Sequence, residues 1–364
     1  MKHRFLVLDM FRGIFASLVV LYHMSAFSDT PVLNNSFILN ADMFVDFFFV
    51  LSGFVICYSY QSINSLTELK LFLTKRIRRL YPLHLLMLLI FLAIEGVKLG
   101  LVNHIHINNF LDNSPTTFFS SLFLINSIKL PHVHDVSWNL VSWSISAEVI
   151  SYIIFALSCH LSSTNRGNAL KPMFYMFIAL LAAILLYTIT GSFKLDYTYD
   201  YGFLRGLIGF FSGACCLYCF KYLHERLSDF RQSLFSFMEI GVLLLIGMAI
   251  ISGPVLKPYG FIYEIVFFIS IMVFSFEKGL VSKAISKIGL LKKLGKYSYS
   301  IYMVHTLFIS MFNVIFIRVF KLPESAYAYL FIPNCIVIYY AARWTYQHIE
   351  MRFQYKSKKS VTAG

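Results

Sequence analysis

The run LVLDMFRGIFASLVVLYHMSAF, Leu6 to Phe27, is apolar apart from Asp9, Arg12, His23 and a few small or hydroxyl side chains. Its length suits a bilayer crossing, which takes ~20 mainly apolar residues. The pattern recurs, and ten segments qualify: about 5–27, 41–61, 80–101, 137–161, 170–191, 203–222, 234–252, 259–276, 297–318 and 327–347. The longest connection between them is 102–136. No internal repeat stands out, so the inverted repeats of many transporters are absent. The pattern predicts an all-α polytopic membrane protein, a bundle of about ten transmembrane helices. It forms one transmembrane domain over 1–352, followed by a short basic tail over 353–364. MKHR before an apolar run looks like the start of a signal peptide. Asp9 and Arg12 interrupt that run and no clear small-x-small cleavage site follows, which favours a retained first helix.

Lysine and arginine set the expected orientation. With the N-terminus inside, the inside segments hold 22 of the 31 Lys and Arg residues. Two precede Phe5, five fall at 62–79, two at 162–171, three at 221–233, six at 277–296 and four from Arg352 onward. Outside segments hold five, Lys129, Lys194, Lys257, Arg318 and Lys321; Arg12, Lys98, Arg205 and Arg343 lie within helices. Positive residues concentrate in cytoplasmic loops, so both termini are expected in the cytoplasm.

Composition agrees with the pattern. The chain has 364 residues, 58% hydrophobic and 13% charged, with a mean hydropathy of +0.69; soluble domains run near 25% charged. The net charge of +13 would point to nucleic acid only as a soluble basic patch, so no nucleic-acid partner is expected. Cys57, Cys159, Cys215, Cys216, Cys219 and Cys335 all fall inside apolar segments. The Cys-Cys-x-x-Cys run has no His or acid nearby and reads as small apolar helix residues, with neither a disulfide framework nor a metal.

Against this background the buried polar groups stand out, because charge at bilayer depth costs at least ~2.5 kcal/mol per residue. Arg12 and His23 are eleven apart, almost three helical turns, so they share a face about 16 Å apart along the axis. That stripe can line an interior passage; an Asp9–Arg12 pair and a satisfied interface histidine is the plainer alternative. In ADMFVDFFFVLSGF, Asp42 and Asp46 are four apart on one face. Asp46 and His23 sit at similar depths below the outer end of their helices. A carboxylate that holds an imidazole in one tautomer makes a general-base dyad, so His23 and Asp46 are the candidate catalytic pair.

FLTKRIRRLYP places Lys75, Arg76, Arg78 and Arg79 at the cytoplasmic start of the third helix. Arg76 and Arg79 are three apart and share a face, and guanidinium forks match phosphate oxygens. The cluster is either topogenic charge or a grip on a phosphorylated donor. In SWNLVSWSISAEVISYIIF, Glu148 lies close to mid-membrane, with Ser144 four residues before it and Trp143 beside them. An ionisable group at that depth is a functional candidate, unless it pairs with an intramembrane arginine such as Arg205. LGKYSYSIYMVHTLF carries Ser298, Tyr302 and His305 on one side of a helix. In QHIEMRF, Glu350 and Arg352 read as solvated interface charge.

The stretches LDMFRGIFASLVVLYH, VDFFFVLSGF, KRIRRLYP, WSISAE and LGKYSYSIYMVH, in this order, resemble acyltransferase family 3. Those integral membrane enzymes O-acylate cell-surface sugars and related acceptors. The resemblance runs from Leu8 to about Phe353. It implies a ten-helix acyltransferase domain that takes acyl groups from cytoplasmic acyl-CoA and delivers them to an acceptor outside. It assigns the helix-1 Arg and His to Arg12 and His23, the helix-2 acid to Asp46, the Arg-x-x-Arg pair to Arg76 and Arg79, and the mid-membrane acid to Glu148. Met10-Phe11 stands where Gly-Leu is commoner, and Met351 where Pro often follows Ile-Glu. The hydrolase-like extracytoplasmic domain of some members is not expected here, which leaves acceptor recognition to the membrane core and its loops.

The expected chemistry follows. Arg12, Arg76 and Arg79 hold the phosphates of acyl-CoA, most simply acetyl-CoA, which is a co-substrate; no tightly bound cofactor or metal is expected. His23, oriented by Asp46, takes a proton from the acceptor hydroxyl. Trp143, Ser144, Glu148, Tyr302 and His305 are supporting or acceptor-side candidates. Expected partners are acyl-CoA, a cell-surface sugar or glycolipid and the bilayer, with a homodimer left open; the expected location is the bacterial inner membrane. His104, His106, His132 and His134 in the 102–136 loop suit sugar contact better than a metal. The alternative is a secondary transporter or flippase for a surface-glycan precursor. It would explain Glu148 and His305 but not the arginine cluster at a cytoplasmic mouth together with the His23–Asp46 pair at the outer side.

Overall fold

The computed structural model describes residues 3–101, 113–162, 165–227 and 229–354. His104, His106 and the tail from 355 onward lie outside the described residues. The chain forms α1 (Leu6–Ser25), a 3-10 turn (Ile38–Met43) leading into α2 (Phe44–Ser59), α3 (Leu66–Leu101), α4 (Pro115–Leu122), α5 (Ser142–Leu161) and α6 (Asn165–Thr190). It continues with α7 (Gly202–Leu227), α8 (Gln232–Ile251), the short α9 (Gly253–Leu256), α10 (Phe261–Phe274), α11 (Leu280–Ile285), α12 (Gly289–Phe312) and α13 (Tyr327–Thr345). Among the described residues no strand occurs. Nine helices there are long and apolar enough to cross a membrane, or ten if the pair 253–259 and 261–274, bent by 98°, counts as one span.

Glycines set the closest helix contacts. A Cβ on Gly13 of α1 would lie 2.4 Å from the Gly295 nitrogen of α12, and one on Gly295 would lie 2.2 Å from the Asp9 carbonyl oxygen. Likewise a Cβ on Gly53 of α2 would sit 1.7 Å from the Phe210 oxygen of α7. Small residues allow such backbone approach between membrane helices, where lipid supplies little hydrophobic drive for association. Aromatic packing fills the space between these pairs: Phe15 stacks on Phe44 at 4.1 Å, with Phe47 edge-on at 4.7 Å. Outward faces are apolar instead of charged. Met173, Phe177, Leu180 and Ile184 project from α6, as expected of a surface solvated by lipid tails.

Several boundaries differ from the sequence expectation: α12 starts at Gly289 instead of 297, and α7 runs on to Leu227 instead of ending at 222. The third helix begins at Leu66, not near 80, so the arginine cluster lies inside it. Leu69, Phe72, Leu73, Ile77 and Leu80 recur at helical spacing there and pack against the core, and the Glu68 carboxylate accepts the Asn64 N–H at 2.8 Å. The segment from 137 starts its helix only at Ser142. Before it the chain makes a tight turn, with Trp138 at φ 54° and its indole N–H donating to Thr117 Oγ1 at 3.1 Å.

Candidate active site

Inside the bundle, α1, α2, α3, α5 and α12 line a cavity of about 130 Å³. Its walls include seven residues singled out by the sequence: Arg12, Arg76, Arg79, Ser144, Glu148, Ser298 and Tyr302. Arg12 is fixed by neighbours on α12: Nε donates to Ser298 Oγ at 2.8 Å and Nη2 to the Gly295 oxygen at 3.2 Å. Nη2 also pairs with Asp9 at 3.2 Å, and Asp9 takes a second cation, Arg4, at 2.7 Å. Arg76 stacks on Tyr60, 5.6 Å from the ring centre, and its buried Nε has no partner. Arg79 lines the cavity with no hydrogen-bond or ion-pair partner among the described residues, while Arg78 on the opposite face is exposed. Three guanidiniums with unused donors face one space.

Glu148 is not paired with an arginine. It accepts from Ser52 Oγ at 2.7 Å and from the Tyr152 hydroxyl. The cavity continues into a mouth that shares Arg12, Arg79, Ser298 and Tyr299 with it and adds Arg4, Lys296 and Glu350. Glu350 therefore departs from the expected solvated charge: it is buried and accepts from Ser300, because the helical path beyond α13 turns it inward. Arg352 is exposed, as expected.

At the other end of the cavity Tyr302 meets Ser144, hydroxyl to hydroxyl at 2.9 Å. His305, one turn on, is buried. Its Nδ1 lies 2.7 Å from the Tyr302 carbonyl oxygen, and its Nε2 lies 3.2 Å from His23 Nδ1. His23 Nδ1 also reaches the Val19 oxygen at 2.9 Å. A carbonyl only accepts, so Tyr302 assigns the proton of His305 to Nδ1 and leaves Nε2 as the acceptor. By the same logic His23 carries its proton on Nδ1, shared between Val19 and His305. In this neutral pair His23 Nε2 keeps a free lone pair, and His23 is only half-buried. Asn139 clamps α12 on both sides of His305: its Nδ2 donates to the Met303 oxygen at 2.9 Å and its Oδ1 accepts from Thr306 at 2.8 Å.

The expected His23–Asp46 dyad does not form. Asp46 is fully buried and bonded through both oxygens to Arg205, at 2.6 and 2.9 Å. The cause is helix packing. The α2–α7 contact through Gly53 brings Arg205 over Asp46, whereas α1 turns His23 toward α12. Asp42 also points elsewhere, to Lys257 Nζ at 2.8 Å. Trp143 lies under the Arg205 guanidinium, 5.3 Å from its ring centre, and supports that pair instead of lining the cavity. Asp46 and Trp143 thus stand apart from the cavity, and His23 and His305 lie beyond Tyr302 without lining it.

Sequence reasoning missed Arg205 as the partner of Asp46, Ser52 and Tyr152 around Glu148, and Asn139. Arg205 carried a signal, as a lone cation inside an apolar run; the hydroxyls and the amide carried none. His132 and His134 are exposed, and among the described residues no group of three His, Cys, Asp or Glu is placed to hold a metal ion. All six cysteines are free.

A family model for acyltransferase 3, described as an acyltransferase domain, matches residues 5–343. No curated protein and no solved structure matches the chain.

Proposed function

The chain belongs to this acyltransferase family, and from that premise we propose that it moves an acyl group from acyl-CoA to a hydroxyl of a carbohydrate or glycolipid across the bilayer. Acetyl is the simplest acyl group for the space. The observation that carries the reading is the cavity itself: three guanidiniums at one end and, beyond Tyr302 at the other, a histidine pair with one free lone pair. Arginine forks in a space shielded from water suit a pyrophosphate. The lysine and arginine distribution, 22 against 5, supports a cytoplasmic mouth and both termini on that side; the membrane proposed is the bacterial inner membrane.

In this reading Arg12, Arg76 and Arg79 hold the CoA phosphates while the thioester points past Glu148 toward Tyr302. The acceptor hydroxyl approaches from the opposite face and gives its proton to His23 Nε2. Its oxygen attacks the thioester carbon, and the C–S bond breaks as the thiolate leaves. The positive charge on His23 is shared through Nδ1 with Val19 and His305. The Tyr302 and Ser144 hydroxyls are the nearest donors for the developing oxyanion. Tyr302 and His305 stand between the cavity and His23, so the acyl end has to pass the Tyr302 ring.

The test uses purified protein in lipid nanodiscs with radiolabelled acetyl-CoA and a saccharide acceptor. Acceptor-dependent CoA release, lost in His23→Ala, supports the proposal. A protein that moves a glycan precursor across vesicles without releasing CoA is a transporter, and the proposal falls.

A further inference from the structure

A second opening lies beside the mouth. The end of α2, the connection after it and the start of α3 form a groove of about 440 Å³ running from Tyr58 to Lys75. Tyr58 and Ser59 line both this groove and the mouth, so groove, mouth and cavity share walls along one continuous path. The wall nearest the cavity is the Tyr60–Arg76 stack. Tyr60 and Phe72 belong to the groove and Arg76 to the cavity, with the Arg76 carbon 6.0 Å from the Phe72 ring centre.

The connection that forms the groove is held down by its own backbone. Lys171 Nζ, buried, donates to the Gln61 oxygen at 2.5 Å, and His160 Nδ1 lies 3.1 Å from the Ile63 oxygen. Ile63 is buried beneath it. With its carbonyls pinned from α5 and α6, this stretch is a shaped surface before any ligand arrives, which lowers the ordering cost of binding. The groove presents aromatic rings from Tyr58, Tyr60 and Phe72, one cation in Lys75, and polar side chains from Gln61, Asn64 and Glu68.

We propose that this groove is the subsite for the 3′-phosphoadenosine end of the donor, an inference that rests on the acyl-CoA reading above. A CoA thioester has three chemically distinct parts: a pantetheine arm, a pyrophosphate and a 3′-phosphorylated adenosine. The cavity takes the arm, Arg76 and Arg79 take the pyrophosphate, and the aromatic groove one wall away takes the base. Lys75 is half-buried, adjacent to Arg76 in sequence and in the groove wall, and meets the 3′-phosphate. Glu68 keeps one carboxylate oxygen on the Asn64 N–H; its other oxygen is open to the adenine amine. The groove therefore sets specificity for the nucleotide, separately from the chemistry at His23.

Steady-state kinetics with three thioesters on nanodisc protein test this: acetyl-CoA, acetyl-3′-dephospho-CoA and acetyl-4′-phosphopantetheine. In the wild type, KM rises about tenfold or more on loss of the 3′-phosphate, the effect of one charged contact, and rises again on loss of the adenosine. Lys75→Gln raises KM for acetyl-CoA to the dephospho level, leaves acetyl-3′-dephospho-CoA unchanged and leaves kcat unchanged. Equal KM for all three thioesters in the wild type overturns the subsite while the acyl-CoA reading stands. So does a Lys75→Gln effect that is the same for all three. No turnover with any thioester overturns the donor reading and this subsite with it.

Discussion

His305 Nε2 lies 3.2 Å from His23 Nδ1, and because the Val19 carbonyl holds a proton on that nitrogen, His305 accepts from His23 at this contact. In the proposed reaction, the role foreseen for Asp46, orienting His23, would fall to a neutral imidazole on α12. A neutral acceptor stabilises the developing imidazolium less than a carboxylate does, but costs far less to bury in a bilayer. Replacing His23 by Ala is expected to lower acyl transfer by about 10²–10⁴-fold, the usual contribution of a positioned base. His305→Ala should lower kcat with little change in donor KM, and His305→Gln should restore part of the loss, because its amide oxygen can accept from Nδ1–H. The measurement is kcat and KM for each variant beside its yield in the membrane. Equal losses in Ala and Gln variants would reduce His305 to packing.

The Asp46–Arg205 pair is expected to be structural. It is buried on both sides and supported by Trp143, and removing one partner of a buried pair costs about 3–5 kcal/mol. Asp46→Ala or Arg205→Ala should lower the thermal midpoint of the detergent-solubilised protein and its yield. A double substitution to Asn and Gln should recover more of the stability than either single change. Normal folding of Asp46→Ala together with loss of transfer would return Asp46 to the chemistry.

What the linear pattern revealed and what it hid divide along helix boundaries. Relations within one helix were legible. Arg76 and Arg79 do share a face and line one cavity, while Arg78 does not. Ser298, Tyr302 and His305 do face the same side, one bonded to Arg12 and another to His23. Relations between helices were not legible. Asp46 and Arg205 are 159 residues apart, and matching depth cannot say which of several neighbouring helices a side chain meets. That choice is made by backbone contacts at Gly13, Gly53 and Gly295, residues with no chemistry of their own. The Arg12–Asp9 pairing, local to one turn, was readable; its second partner, Arg4, was not.

Arg76 and Arg79 should act on donor binding. Each is expected to contribute one charge-assisted contact, worth about 1.5–3 kcal/mol, so Arg76→Ala or Arg79→Ala should raise donor KM roughly 10–100-fold. Lysine at either position should recover little, because an ammonium cannot match two phosphate oxygens in one plane. Titration of the variants with a non-hydrolysable CoA thioether by calorimetry checks the binding directly. Unchanged affinity in both variants would leave the arginines as topogenic charge.

Gly13 tests whether the two ends of the site are geometrically linked. Both contacts across α1 and α12, Arg12 to Ser298 and His23 to His305, depend on the approach at Gly13 and Gly295. A Cβ at 13 would meet Gly295 nitrogen at 2.4 Å and the Leu294 carbonyl carbon at 2.4 Å. Both are backbone atoms with no rotamer to yield, so even Gly13→Ala must push the helices apart, at an overpacking cost of about 1–3 kcal/mol. The expected phenotype is a compound one: donor KM rises because Arg12 loses Ser298, and kcat falls because His23 loses its acceptor. A substitution that merely weakens folding lowers the amount of active enzyme and leaves KM alone. Active-site titration with a slow thioester, followed by kcat and KM per active molecule, separates the two. If Gly13→Ala keeps both constants, the helices have room that their backbones do not show, and the linkage is wrong.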